Sequence, residues 1–399
     1  MRRWLNITYL PVTIGAVLLI IPWFYLGWNT TLGELVPALR FRTKNTIAGV
    51  VQDASDTFSL QSVLNGHYQQ SISRAVGVLS PLFKPAIHWK NQIYYTLLGT
   101  AGSDRVVVGK HRELLEMTYL DEYCTRNAAT FAPKAEEWAA RIRTLQDDVE
   151  ALGKPFLYII TPSKVAQYPA FIPDGYKCPG SHEDKASKLP VWDAALTRHG
   201  VHFVDGASPL PVAREKYGID MFPRGGIHWN KLSAALATQD FVAAINAQHR
   251  APPLTTFTFD WVVSYWPNAG DRDLLDIMNL PHPDAHYPVP ELTYHSSDPP
   301  GGCKTVKITE VGGSFLMGIN DTLERLACPP DITYWFYWDH NRFRYVDRHM
   351  RELTMDPKVR RQSLLDADVI IFEENEAALP ETGHGKHLMD EIKAIRAGE

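Results

Sequence analysis

Two short segments hold residue types able to carry out acyl transfer: Gly312-Gly313-Ser314-Phe315-Leu316-Met317-Gly318 and Gly225-Gly226-Ile227-His228-Trp229-Asn230. In the first, an apolar run ending at Val311 passes into two glycines and a serine, and helical spacing begins at once. Such a junction exposes the hydroxyl at a strand end and turns the free N–H groups of a helix start toward an anion. A serine nucleophile and its oxyanion hole need both. Serine also caps helices and glycine also makes turns, so the junction has an architectural use as well. In the second segment His228 stands just before a helix, and imidazole, with an ordinary pKa of about 6.5, suits a general base near neutrality. One histidine among 15 carries little weight alone. Ser314 and His228 together carry more, because nucleophile and base must meet at matching loop ends.

The elements that would position them follow from the hydrophobic pattern. Val106 to Lys110 reads as a short buried strand ending in a turn. Pro133 to Leu152 reads as a helix, with Trp138, Ile142, Leu145 and Val149 at helical spacing and Gly153 as its stop. The run Phe156-Leu157-Tyr158-Ile159-Ile160 is apolar throughout, as in a strand buried on both faces. A helix over Val191 to His199, a strand over Val201 to Val204 and a helix over Trp229 to Ala247 follow. The stretch from 251 to 300, rich in proline, histidine and aromatics, reads as an insertion or loop. Alternation resumes with strand Thr305 to Val311, helix Phe315 to Leu326, strands Ile332 to Trp338 and Val369 to Glu373, and a last helix over Lys386 to Arg396. This order predicts an α/β fold with a mostly parallel sheet covered by helices on both sides. Loops at the carboxyl ends of such strands are where functional groups gather.

Charge and cysteines set the context. A formal net charge of −5 over 399 residues argues against a nucleic-acid binder, which needs a broad basic surface. Arg2 and Arg3 precede an uncharged apolar run from Tyr9 to Trp28, long enough to cross a hydrocarbon core of about 30 Å. Trp23, Tyr25 and Trp28 crowd its far end, and the arginines place the amino terminus in the cytoplasm. Residues 1–28 are therefore expected to be an uncleaved signal anchor, with a cleaved signal peptide as the alternative. Residues 29–104 read as a mixed juxtamembrane segment, in which Phe58 to Trp89 has loosely helical spacing, and 105–399 as the main domain. Cys124, Cys178, Cys303 and Cys328 fit an oxidising compartment and allow three pairings. Their spacing does not suggest a zinc site, and nothing points to a cofactor.

The two segments also carry a family resemblance. GGSFLMG resembles the GDS block of SGNH hydrolases, and GGIHWN resembles their D-x-H-W block. Histidine before serine is the order of the AlgJ/AlgX-type proteins that O-acetylate bacterial exopolysaccharides. Arg105 to Lys110 with Tyr119-Leu120 is similar to that family's domain opening. Thr161-Pro162-Ser163-Lys164 with Tyr168-Pro169, Val204-Asp205, and Asp368-Val369-Ile370 with Glu373 to Glu376 are similar to further family stretches. The resemblance spans roughly 105 to 395.

It implies an SGNH-like three-layer α/β/α sandwich and acetyl transfer to a polysaccharide hydroxyl through an acetyl-serine. Ser314 would be the nucleophile, His228 the base, and the Ser314 N–H part of the oxyanion hole. The implied partner is a membrane acyltransferase of the MBOAT type, at an inner membrane, with the catalytic domain in the periplasm. The chain departs from the pattern twice. GDS becomes Gly312-Gly313-Ser314, and the aspartate two residues before the histidine becomes Gly226. Asp220 or a backbone carbonyl is left to orient the imidazole. An esterase with the same acyl-serine chemistry, and a non-catalytic carbohydrate-binding or scaffold protein, are the other classes the residues allow.

Overall fold

The computed structural model describes residues 61, 83–249, 253–297, 302–338, 341–346, 349–353, 356–380 and 382–398. The apolar run 9–28 and most of 29–82 lie outside the described residues. Among the described residues no helix is long and apolar enough to cross a membrane. The chain divides into two compact units, Met1–Asp104 with Leu275–Asp284, and Arg105–Leu274 with Ala285–Glu399. In the first, the helix Phe83–Ile93 passes into a π-helical turn, and Asn91 Nδ2 donates to the Met278 carbonyl at 2.8 Å.

Among the described residues the second unit contains eleven strands: β1 Val106–Val108, β2 Leu114–Glu116, β3 Phe156–Thr161, β4 Phe203–Asp205, β5 Thr258–Ser264, β6 Val289–His295, β7 Lys307–Gly312, β8 Asp331–Phe336, β9 Asn341–Val346, β10 His349–Glu352 and β11 Val369–Asn375. Seven form the main sheet, in the order β10-β9-β8-β7-β11-β3-β4. From β8 to β4 neighbours run parallel, whereas β9 and β10 pair antiparallel at one edge. The sheet is therefore mixed rather than mostly parallel to its ends. The polar strands β9 and β10, with Arg344 and Arg351 interleaved, lack the apolar run that marks a strand buried on both faces.

Period-two alternation splits the central strands between two cores. Leu157 and Ile159 of β3, Ile308 of β7 and Ile371 of β11 face one core, with Leu232, Ala235 and Phe241 of the helix Lys231–Ala247 and Leu316, Ile319 and Leu323 of the helix Leu316–Leu323. Phe156, Tyr158, Ile160, Ile370 and Phe372 face the other, with Trp138, Ile142, Leu145 and Val149 from the long helix and Leu388 and Ile392 from the last one. Helices thus cover both faces of the sheet. The long helix starts at Ala128, earlier than Pro133, because the Asn127 side chain accepts from the Ala129 N–H at 3.0 Å and caps it there. It ends before Gly153, whose φ of +76° is the left-handed conformation glycine adopts freely.

The stretch from 251 to 300 is more regular than its composition suggests. Strands β5 and β6 pair antiparallel from Thr258↔His295 to Ser264↔Val289, with a short helix, Asp273–Ile277, between them in sequence. Its prolines lie mostly outside the strands. Pro290 is on β6 but in a two-stranded ladder, where an edge position tolerates its missing N–H. The cysteines form Cys124–Cys178 and Cys303–Cys328.

Candidate active site

The Ser314 segment is built into the end of β7. Neither Gly312 nor Gly313 has room for a side chain: a Cβ on Gly312 would lie 2.6 Å from Glu373 Oε2, and one on Gly313 would lie 2.9 Å from the Tyr337 hydroxyl. The turn is held from below. Glu373 on β11 accepts the Gly313 N–H at 2.5 Å and a hydrogen bond from the Thr161 hydroxyl, while Tyr334 on β8 donates to the Gly313 carbonyl at 2.5 Å. The helix Leu316–Leu323 then leads away from Ser314.

Burial pushes the Glu373 carboxyl up from 4.5 to about 7, although its two donors pull it down. The folded protein therefore holds this proton more tightly than the unfolded chain, and its share of stability falls as pH rises from about 4.5 through about 7. Glu310, Glu374 and Glu376 are pushed up by burial as well, so Glu373 accounts for one share of the slope. Glu373→Gln is expected to flatten the decline. Urea denaturation of both proteins at about pH 5 and about pH 7.5 measures the difference.

The His228 loop is anchored by a buried cation. Lys164 Nζ donates to the carbonyls of Pro223 (2.8 Å), Arg224 (3.1 Å) and Gly226 (3.0 Å) and pairs with Glu113 at 3.1 Å. Trp229 Nε1 donates to the Phe315 carbonyl at 3.2 Å, tying this loop to the serine segment. Asn230 caps the helix Lys231–Ala247 by accepting from the Ser233 N–H at 3.1 Å. The imidazole packs edge-on to Phe315, with ring centres 4.9 Å apart.

These supports bring the two sequence-derived residues together: His228 Nε2 lies 2.6 Å from Ser314 Oγ. The other ring nitrogen, Nδ1, lies 2.5 Å from Asp273 Oδ2. Asp273 is itself fixed, its Oδ1 accepting from the N–H groups of Ile227 (2.8 Å) and Leu274 (2.7 Å). With Nδ1–H donating to the carboxylate, Nε2 is left to accept the serine proton. Asp220 does not orient the histidine, and neither does a backbone carbonyl. The Asp220 carboxylate pairs with Arg214 Nε at 2.7 Å, and its main-chain carbonyl accepts from Asn230.

Gly226 explains the relocation. A Cβ there would lie 2.8 Å from Pro223 Cγ and 3.1 Å from the Asp271 carbonyl, so the backbone around Asp271 occupies the space a side chain at 226 would need. Asp273 arrives from 45 residues beyond His228, and only the absence of an aspartate at 226 hints that an acid must come from elsewhere.

Tyr337 was also hidden in the sequence. It follows β8 with φ of +44°, a conformation uncommon for a bulky side chain, and its hydroxyl interacts with both the side chain and the backbone of Ser314. Burial and the nearby Glu373 raise its pKa, keeping the phenol protonated. A cavity of about 360 Å³ opens over Ser314, His228 and Asp273, with Asn268, Asp271 and Met317 in its wall. Among the described residues no group of three or more His, Cys, Asp or Glu side chains is placed to hold a metal ion.

Comparison with known proteins adds the following. The O-acetyltransferase domain of Pseudomonas putida AlgJ is 19% identical and aligns over 74% of this chain and 99% of its own, with a TM-score of 0.46. Pseudomonas aeruginosa AlgX is 14% identical over 72% of this chain and 67% of its own, with a TM-score of 0.46. Bacillus cereus PatB1 is 13% identical over 70% and 98%, with a TM-score of 0.42. No curated protein matches the chain by sequence. The profile of the SGNH hydrolase-like domain of the acetyltransferase AlgX matches residues 117–298, a stretch that contains His228 and Asp273 and stops short of Ser314. Over those residues the chain is similar to the SGNH hydrolase-like domain of the AlgX acetyltransferases.

Proposed function

We propose that the protein is an O-acetyltransferase that moves acetyl groups onto an exported polysaccharide through an acetyl-serine at Ser314. The observation that carries this reading is the chain of short contacts Ser314 Oγ to His228 Nε2 and His228 Nδ1 to Asp273. Similarity to the AlgX acetyltransferase domain over 117–298 supports transfer over hydrolysis.

Ser314 Oγ attacks the acetyl carbonyl of a donor ester while His228 Nε2 takes the hydroxyl proton. Asp273 stabilises the imidazolium that results. The oxygen that becomes negative accepts from the Ser314 N–H. Collapse breaks the donor's ester bond, and the leaving oxygen takes the proton from His228, leaving acetyl-Ser314. A polysaccharide hydroxyl then gives its proton to His228 and attacks the acyl carbon. The new ester leaves, and Ser314 recovers its proton.

Residues 1–28 anchor the chain in the inner membrane, and an MBOAT-type membrane acyltransferase supplies acetyl groups on the periplasmic side. The two disulfides support an oxidising compartment for residues 105–399.

Tyr337→Phe removes the hydroxyl that contacts both the side chain and the backbone of Ser314, and the loss of that positioning is expected to lower turnover about 10²-fold with little change in KM. Steady-state kinetics on an aryl acetate measure it. The function itself is tested by incubating the full-length chain with a labelled aryl acetate and an oligosaccharide. Label should reach the oligosaccharide, and both Ser314→Ala and His228→Ala should abolish this. Transfer by Ser314→Ala at the wild-type level would overturn the mechanism. Loss with Ser314→Ala but not with His228→Ala would point to another base.

A further inference from the structure

The cavity over Ser314 does not end there. A second one, of about 620 Å³, shares Tyr294, Asp321 and Arg325 with it, so the two form one groove. The groove leads away from the nucleophile between β6 and the helix Leu316–Leu323, toward Tyr345 of β9 and Met350 of β10. A groove of that length suits a polymer lying across the site. The aromatic and thioether surfaces of Tyr294, Tyr345 and Met350 suit the apolar faces of sugar rings.

Its charges are more selective than its shape. Four carboxyls line it, those of Asp271, Asp273, Asp321 and Glu324, against two cations, Lys231 and Arg325. Lys231 is already paired with Glu291 at 2.5 Å. Arg325 lies one helical turn beyond Asp321 and interacts electrostatically with that carboxyl. Arg344, the neighbour of Tyr345, is paired with Asp331 at 2.7 Å. Among the described residues no row of uncompensated positive charge lines the path, and the whole chain carries a formal −5. A chain of carboxylates would therefore meet a surplus of carboxyls and no unpaired cation among the described lining residues, which lowers both encounter rate and affinity.

We infer that this groove is the acceptor track and that it takes an uncharged polysaccharide in preference to a polyanionic one. The inference rests on the acyl-transfer reading above.

The test uses the full-length chain preloaded from an aryl acetate. Two acceptors of equal length are compared, a neutral gluco-oligosaccharide and an oligoglucuronate. Acetyl transfer to the neutral acceptor should exceed transfer to the oligoglucuronate by at least about tenfold. Asp321→Lys should move the glucuronate-to-neutral ratio upward by at least about tenfold. Equal or preferred transfer to the oligoglucuronate by the wild type would overturn the inference, as would an unchanged ratio in Asp321→Lys. An acetyl adduct on Ser314 whose decay neither acceptor speeds would also count against the track. Failure to form that adduct at all would instead overturn the underlying acyl-transfer reading.

Discussion

Asp273→Asn is expected to lower turnover about 10⁴-fold, the loss the same exchange causes in a serine protease, with little change in KM. The geometry explains why so small a change costs so much. The N–H groups of Ile227 and Leu274 both donate to Oδ1, so the amide oxygen of asparagine would stay there and its NH₂ would face His228. That NH₂ donates to Nδ1 and forces the imidazole proton onto Nε2, the nitrogen 2.6 Å from Ser314 Oγ. A protonated Nε2 cannot accept the serine proton. Asp220→Asn, by contrast, loses only an ion pair to Arg214 that is nearly half exposed, and its turnover should stay within a few-fold of wild type. Steady-state rates of aryl acetate cleavage for the two variants decide between the two acids. A large loss in Asp220→Asn with a small one in Asp273→Asn would reverse the assignment.

Placing an aspartate at 226, as in the D-x-H-W block that this segment resembles, should lower activity. Gly226→Asp places a Cβ 2.8 Å from Pro223 Cγ and 3.1 Å from the Asp271 carbonyl, in a loop that Lys164 pins at three carbonyls. The crowding must move either that loop or the segment carrying Asp273, and displacement of about 1 Å can cost about 10² in rate. Overpacking should also lower stability by about 1–3 kcal/mol. The Gly226→Asp/Asp273→Asn double variant is expected to remain as slow as Asp273→Asn alone. Recovery of activity in the double variant, measured by the same kinetics beside a thermal melt, would show that a carboxylate at 226 can reach the imidazole.

The contrast between these residues shows what a sequence displays. Ser314 and His228 are legible because each sits where a strand or loop meets a helix, and such junctions leave local marks: glycines, a cap, the onset of helical spacing. The strand Phe156–Thr161 is legible because burial on both faces makes it almost continuously apolar, and the run 369–372 reads in the same way. Asp273 leaves no such mark. It reaches the histidine across 45 residues of a stretch whose prolines and aromatics read as irregular, and whose β5–β6 ladder alternates too weakly to stand out. Strand β10 closes the sheet at one edge and β9 lies next to it, with Arg344 and Arg351 exposed, so neither carries an apolar run. Tyr337 depends on a left-handed backbone that nothing in its neighbours requires. Local signals reveal the nucleophile and the base, and tertiary packing supplies the groups that tune them.

The most direct test is the mass of the Ser314 peptide after the full-length chain is mixed with an aryl acetate and quenched in acid. The triad predicts one acetyl group on Ser314, formed in the wild type, slowed by Asp273→Asn and absent in Ser314→Ala. Wild-type turnover of the ester with an unmodified Ser314 peptide at every time point, together with undiminished turnover in Ser314→Ala, would contradict it.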